Sequence, residues 1–172
     1  IGSAVEGTYY GSPMLVAATN NNIHGYQLGK VACSEGKAVG ANWAFAPIVD
    51  IDMNFRNPIT NVRTFGSDSN RIIEFARGYN QAAKEEEVAT AIKHFPGDGV
   101  DERDQHLLTS VNSLSKEAWD NTYGKIYKEL IDDGALTVMA GHIALPAYEA
   151  KEKKNTPATL SKTLLQGLLR EQ

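Results

Sequence analysis

The chain of 172 residues contains one cysteine, no long apolar run and few aromatic residues, at 8%. A single thiol excludes an internal disulfide framework and any zinc or iron–sulfur site built from several cysteines. Because Cys33 falls in a helical pattern, we expect it to be a buried structural thiol. No segment approaches the roughly 18 apolar residues of a membrane span, and no signal-peptide pattern opens the chain. The sequence therefore predicts no membrane partner and leaves the compartment open.

A net positive charge is also absent. Seventeen Lys and Arg residues stand against twenty-one Asp and Glu residues, which gives a formal net charge of −4. The broad positive field that attracts nucleic acid is missing, so we expect no nucleic-acid partner. Hydrophobic residues make up 42% of the chain, enough for the core of one ordinary domain.

Apolar periodicity predicts an alternation of helices with short, mostly apolar strands. Such strands are typical of a parallel sheet that is buried on both faces, with the functional residues at the carboxyl ends of the strands. The strands are expected to start near Trp43, Ala89 and Leu136. No glycine-rich phosphate-binding motif follows any of them, which weakens a nucleotide-binding function. The predicted elements, in order, are a helix over 20–40, a strand over 42–51, a helix over 69–86, a strand over 88–95, a helix over 115–134, a strand over 135–145 and a helix over 161–172.

Polar side chains follow each predicted strand at the point where it ends. Asp50 ends the first strand, Lys93 and His94 end the second, and His142 ends the third. An unpaired buried ammonium is very costly, so Lys93 must meet solvent, a carboxylate or a ligand. The parallel arrangement predicts that Lys93, His94 and His142 lie at one end of the sheet and that their side chains converge on one cleft with that of Arg63.

Two loops add further candidates. After KHFPGDG, residues Asp104 and His106 are two apart, which in an extended segment places both side chains on one side. A carboxylate that holds one imidazole nitrogen makes the histidine a general acid and base. Arg63, in RNPITNVRTFG, offers five donors for hydroxyls or carboxylates, although an ion pair with Asp50 or Asp52 is an equally simple explanation.

Four motifs in one order resemble the N-terminal barrel domain of glycoside hydrolase family 3. They are NWAFAPIVDID, RNPITNVRTFG, KHFPGDG followed by DQH, and MAGHIALP, and the resemblance continues into PATLSKTLLQGLLRE. Members that act as β-N-acetylglucosaminidases look most similar, because they carry Asp-x-His after K-H-F-P-G. The resemblance implies an α/β fold, a partial (β/α)8 TIM-type barrel. Residues 1–172 would be a central fragment of one such domain, with about three parallel strands.

The same resemblance implies retaining hydrolysis of terminal β-linked N-acetylglucosamine. His106 would be the general acid and base with Asp104 as its partner, while Arg63, Lys93 and His94 would bind sugar hydroxyls. His142 is a further candidate for substrate binding. The implied partner is a carbohydrate, a β-glycoside or a cell-wall fragment, and no cofactor or metal is implied.

Some departures from the family pattern carry expectations of their own. The nucleophilic Asp of the family follows a helix that corresponds to the one reaching Gln172, so we expect the 172-residue chain alone to be inactive. Asp98 stands where the acetylglucosaminidases usually have His. Three strands cut from a barrel leave two open edges, so we expect self-association, or a loop such as 95–114 folded over the exposed side.

Three other functions remain open on the residues alone. A β-glucosidase of the same family takes its acid from a carboxylate in a second domain. A metal-dependent hydrolase could use His94, Asp104, His106 and His142 as zinc ligands. A carbohydrate-binding or structural piece without turnover would need no nucleophile.

Overall fold

The computed structural model describes residues 6–150 and 155–171. The α-helices are α1 (Pro13–Ala18), α2 (Ile23–Ala38), α3 (Ser69–Glu85), α4 (Lys116–Trp119) and α5 (Lys125–Asp132). The strands are β1 (Trp43–Ala44), β2 (Ala89–Phe95), β3 (Ser110–Val111), β4 (Thr137–Ala140) and β5 (Ile143–Ala144). Shorter turns include 3₁₀ segments at Asn61–Arg63, Pro146–Tyr148 and Ala158–Leu160.

A parallel sheet organises the chain, with strand order β1-β2-β4. Trp43 pairs with Ala89 between β1 and β2, and Ala91 pairs with Thr137 between β2 and β4. The strands start at Trp43, Ala89 and Thr137, which confirms the expected α/β class and the three parallel strands. This is the arrangement of part of a (β/α)8 barrel, and β1 and β4 are the edges of the described sheet.

Helix α3 forms where its apolar period predicts it, and it covers the sheet. Asp68 caps its first turn by accepting a hydrogen bond from the N–H of Arg71 at 2.8 Å. Helix α2 packs closely on it through Gly25 and Gly29, where a Cβ atom would lie 2.5 and 2.7 Å from backbone oxygens of α3. Cys33, on the same helix, is 1% exposed, which confirms the prediction of a buried thiol.

The predicted helix over 115–134 is continuous but not uniform. Ser115 caps it by accepting from the N–H of Ala118 at 3.2 Å. A π-helical turn, Asp120–Gly124, then separates α4 from α5. Such a turn changes the hydrogen-bond register but leaves the apolar spacing almost intact, so periodicity does not reveal it.

The predicted first strand, 42–51, was too long. Only β1 forms a regular ladder, and beyond it Ile48 makes a single parallel bridge with Lys93. Pro47 lacks an N–H and interrupts the ladder. The expectation of burial on both faces also fails at the start of this run, because Trp43 and Phe45 are 50% and 55% exposed.

The last predicted strand and helix also differ from the structure. The strand over 135–145 is two strands, β4 and β5, separated by Gly141 and His142. Strand β5 leaves the main sheet and pairs in parallel with β3, which lies in the loop after β2. The helix over 161–172 is π-helical at Thr163–Leu168. No helix in the described part of the chain is long and apolar enough to cross a membrane.

Candidate active site

A buried carboxylate, Asp50, organises the carboxyl end of β2. It is fully buried and accepts hydrogen bonds from the N–H of His94 at 3.0 Å and the N–H of Asp98 at 2.8 Å. Its second oxygen lies 2.7 Å from Nδ1 of His94. A carboxylate bonded in this way fixes the orientation of the imidazole and leaves Nε2 free for a ligand.

Lys93 and Arg63 lie close together beside this carboxylate. Lys93 is half-buried, and its pKa is lowered first by burial and then by the nearby positive charge of Arg63. The guanidinium of Arg63 donates to the carbonyl of Ile59 at 3.0 Å, and the described residues show no ion pair between it and Asp50 or Asp52. Two neighbouring cationic donors that are not matched by a direct ion pair suit hydroxyl or anionic oxygens of a ligand.

Asn57 holds the loop that carries Arg63. Its Oδ1 accepts from the N–H groups of Ile59 and Thr60, both at 2.8 Å, which is an Asx turn ahead of the 3₁₀ segment. Its Nδ2 donates to Oδ1 of Asp98 at 2.8 Å and to the carbonyl of Asp101 at 2.7 Å. The loop after β1 is therefore tied to the loop after β2 inside the protein.

Asp98 is buried among these hydrogen bonds, with 1% of its surface exposed. Burial raises its pKa, and the nearby carboxylate of Asp50 raises it further. Gln105 donates to its Oδ2 through Nε2 at 2.7 Å. The next residue, Gly99, has φ +105°, and a Cβ there would lie 1.8 Å from the carbonyl oxygen of Ile51. Only glycine fits this approach.

Asp104 and His106 make the contact that their spacing predicts, although the segment is a turn rather than extended. Nδ1 of His106 lies 2.7 Å from Oδ1 of Asp104, and the N–H of His106 donates to the same oxygen at 2.8 Å. These hydrogen bonds lower the pKa of Asp104. The side chain of His106 is 66% exposed, so Nε2 is accessible.

His142 contacts Gln105 and Thr159. Its Nδ1 is 3.0 Å from Oγ1 of Thr159, and its backbone N–H donates to Oε1 of Gln105 at 3.0 Å. His106 and His142 line one surface pocket of about 350 Å³. The lining of that pocket does not include Arg63, Lys93 or His94.

The six predicted site residues thus fall into two neighbouring groups. Around Asp50 lie Arg63, Lys93 and His94, and at the outer pocket lie Asp104, His106 and His142. Within residues 6–150 and 155–171, no three His, Cys, Asp or Glu side chains gather closely enough to hold a metal ion. The alternative of a zinc hydrolase therefore has no ligand cluster in that range.

Sequence reasoning missed three residues that hold the site together. Asp50 was considered only as the end of the first strand and as an ion-pair partner for Arg63, while Asn57 and Gln105 were not singled out. The Asn-Pro pair at 57 and 58 is a turn signal that could have indicated Asn57. No local signal marks Gln105, because a glutamine in a charged loop is usually solvated.

The sheet has parallel strands, and charged and imidazole side chains lie at their carboxyl ends. This layout is typical of enzymes with an α/β barrel. The model of the Glycosyl hydrolase family 3 N terminal domain matches residues 2–172, so the chain belongs to glycoside hydrolase family 3. This confirms the resemblance seen in the four motifs.

Curated relatives agree with the family. A "Beta-N-acetylglucosaminidase/beta-glucosidase" of Cellulomonas fimi is 47% identical over 172 aligned residues, covering 96% of this chain and 30% of the relative. A "Beta-hexosaminidase" of Methylobacillus flagellatus is 30% identical over 145 residues, covering 84% of this chain and 40% of the relative. The chain therefore spans well under half the length of these relatives.

Solved structures show the same fold. "Beta-glucoside phosphorylase BglX bound to 2FGlc" matches with a TM-score of 0.94 and 53% identity, covering 96% of this chain and 31% of the other. A family 3 β-N-acetylglucosaminidase from Paenibacillus sp. str. FPU-7 matches with a TM-score of 0.90 and 30% identity, covering 95% of this chain and 31% of the other.

Proposed function

We propose that this chain is part of a retaining glycosidase that hydrolyses terminal β-linked N-acetylglucosamine. The observation that carries the proposal is the contact between Asp104 and His106 in the loop after β2, with Nε2 of His106 accessible. An imidazole held by a carboxylate through Nδ1 has the chemistry of a general acid and base. Half-buried Lys93 and exposed Arg63 supply polar contacts for a sugar.

In the proposed reaction, Nε2 of His106 gives its proton to the glycosidic oxygen as a carboxylate attacks the anomeric carbon. The bond to the leaving group breaks, and a glycosyl ester forms. His106 then takes a proton from water, whose oxygen displaces the carboxylate and releases the sugar. Arg63, Lys93 and His94 hold the sugar hydroxyls during both steps.

The nucleophilic carboxylate in this scheme comes from outside the 172 residues. The family pattern places it on the strand that follows the helix reaching Gln172. Because the chain spans 30% and 40% of two curated relatives, the activity is proposed for the longer protein. General acid–base help typically contributes about 10²- to 10⁴-fold and does not replace the covalent step.

The proposal includes β-glucosides as a second class of substrate. The Cellulomonas fimi relative is named for both N-acetylglucosaminide and glucoside hydrolysis. We therefore include β-glucosides as substrates, without an acid from a second domain, because His106 supplies the proton. The two substrates differ at C2 of the sugar, where one carries an acetamido group and the other a hydroxyl group.

Phosphorolysis is a second candidate reaction, favoured by the nature of the acid and base. The imidazole base is itself uncharged after it has given up its proton, whereas a carboxylate base repels an anion directly, so inorganic phosphate can approach the glycosyl ester more easily. A phosphate dianion needs no base, and its oxygen would displace the carboxylate to give a glycosyl phosphate. The structural neighbour named a β-glucoside phosphorylase, at 53% identity, supports including this candidate.

We expect the full-length protein to release nitrophenol from nitrophenyl β-N-acetylglucosaminide, and the 172-residue chain alone to be inactive. The physical reason is the absent covalent step. Release is followed by absorbance with and without inorganic phosphate, and the sugar product is identified by mass spectrometry. Free sugar supports hydrolysis, whereas glycosyl phosphate supports the second candidate. Turnover by the 172-residue chain that is proportional to its concentration and lost on His106→Ala would contradict this expectation.

We also propose that the 172-residue chain associates with itself when produced alone. The edge strands β1 and β4 present unpaired backbone groups, and Trp43 and Leu136 near them are 50% and 73% exposed. Light scattering across a range of concentrations checks this, and a constant monomer mass at high concentration would refute it.

A further inference from the structure

Gln105 is buried although both of its neighbours reach solvent. It is 5% exposed, whereas the side chains of Asp104 and His106 are 28% and 66% exposed. The turn is closed by hydrogen bonds from the N–H groups of Leu107 and Leu108 to the carbonyl of Asp104, both at 3.0 Å. This turn points one polar side chain into the protein and two outward.

The amide of Gln105 is bonded on both sides. Nε2 donates to Oδ2 of Asp98 at 2.7 Å, and Oε1 accepts from the backbone N–H of His142 at 3.0 Å. Asp98 lies just after β2 and His142 lies just after β4. One side chain therefore joins the turn to the carboxyl ends of two neighbouring strands.

We propose that Gln105 and Asp98 form a positioning pair that fixes the Asp104–His106 turn over the carboxyl ends of β2 and β4. The proposal rests on the proposed role of His106 as general acid. It also gives a function to Asp98, which departs from the family pattern and does not touch the proposed chemistry directly. A misplacement of about 1 Å in a catalytic group can cost on the order of 10²-fold in rate, so the pair acts through geometry.

The donors and acceptors in this contact have only one matching arrangement. An ionised Asp98 offers acceptors alone, and its Oδ1 already accepts from Asn57 and from the N–H of Gly99. Gln105→Glu sets a carboxylate against a carboxylate. In Asp98→Asn, the new NH₂ group faces the NH₂ group of Gln105, so two donors meet. If the Gln105 amide rotates to avoid this, its NH₂ group faces the backbone N–H of His142, and two donors meet there instead.

The double variant Asp98→Asn/Gln105→Glu restores the match. The new amide at position 98 can donate to the new carboxylate at position 105, and its oxygen still accepts from Asn57. The carboxylate also accepts from the N–H of His142. Each single variant thus breaks the contact, and the pair rebuilds it with the roles exchanged.

The experiment compares two substrates in the full-length protein, a nitrophenyl glycoside with a good leaving group and an alkyl glycoside with a poor one. Acid catalysis matters most for the poor leaving group. We expect each single variant to lose about 10- to 100-fold in kcat/KM on the alkyl glycoside and much less on the nitrophenyl glycoside, because kcat/KM reports the step that breaks the glycosidic bond. The double variant should recover most of the loss. Glu102→Gln, an exposed change of the same chemistry in the same loop, should leave both rates unchanged.

Equal losses on both substrates, or a double variant no better than the singles, would overturn the positioning role. If His106→Ala loses no more activity on the alkyl glycoside than on the nitrophenyl glycoside, the proposed general acid is contradicted. The contact between Gln105 and Asp98 is then tested by the stability of the variants. For that purpose the unfolding midpoint of each variant is measured by circular dichroism, and the double variant should recover the midpoint as well. If Gln105→Glu does not fold, Gln105→Asn, which is too short to span both partners, replaces it with the same expected split.

Discussion

His106→Ala in the full-length protein is expected to lower kcat/KM for an alkyl β-N-acetylglucosaminide by about 10²- to 10⁴-fold. The loss arises because Nε2 of His106 is the proposed proton donor to the glycosidic oxygen, and alanine removes the imidazole that Asp104 holds. A nitrophenyl glycoside, whose leaving group departs without much protonation, should lose far less in the step that breaks its bond. The values of kcat/KM on both substrates, which report the step that breaks the glycosidic bond, measure the two losses.

A matched control for this variant is His24→Ala. His24 lies on α2, where its Nδ1 is 3.0 Å from the hydroxyl of Tyr10 and 2.8 Å from Oε1 of Gln27, outside both groups of site residues. Its replacement should leave both rates unchanged. Loss of activity on His24→Ala, or full activity on His106→Ala, would argue against the assigned general acid.

Asp50→Ala is expected to destabilise the domain by about 3–5 kcal/mol. The carboxylate accepts from two backbone N–H groups and lies against Nδ1 of His94, all in a fully buried position. Alanine leaves those donors without a partner, and a buried unsatisfied donor costs roughly 1–3 kcal/mol. Urea unfolding, followed by circular dichroism, measures the change in the free energy of unfolding.

Asp52→Ala provides the comparison for this prediction. Asp52 ends the same apolar run two residues later and is only partly buried, with a pKa that burial raises. Its replacement should change the free energy of unfolding by less than about 1 kcal/mol. Similar effects for the two variants would mean that Asp50 does not hold the end of β2 as the structure indicates.

The local features of this site were predictable because their causes lie within a few residues. Lys93 and His94 follow an apolar run, which places them at the carboxyl end of β2. Asp104 and His106 are two apart, and their contact forms even though the backbone makes a turn where an extended segment was expected. A short side chain such as Asp reaches its neighbour two residues on in either conformation.

The supporting contacts were not predictable, because their partners are remote in sequence. Asn57 and Asp98 are 41 residues apart, and Asp50 and His94 are 44 apart. No periodicity or spacing relates such pairs, so only the packing of the two loops against the sheet brings them together. The same limit explains why Arg63 could not be separated beforehand from an ion pair with Asp50 or Asp52.

The sequence by itself determined the order of the longer helices, the three strands of the parallel sheet and the residue types at their carboxyl ends, since apolar periodicity and chain spacing act locally. Only the tertiary structure decided how those residues divide between the group around Asp50 and the outer pocket. It also decided that Gln105 joins them. The reason is that burial and hydrogen bonding depend on which distant segments share a volume, and that is fixed when the loops after β2 and β4 pack together.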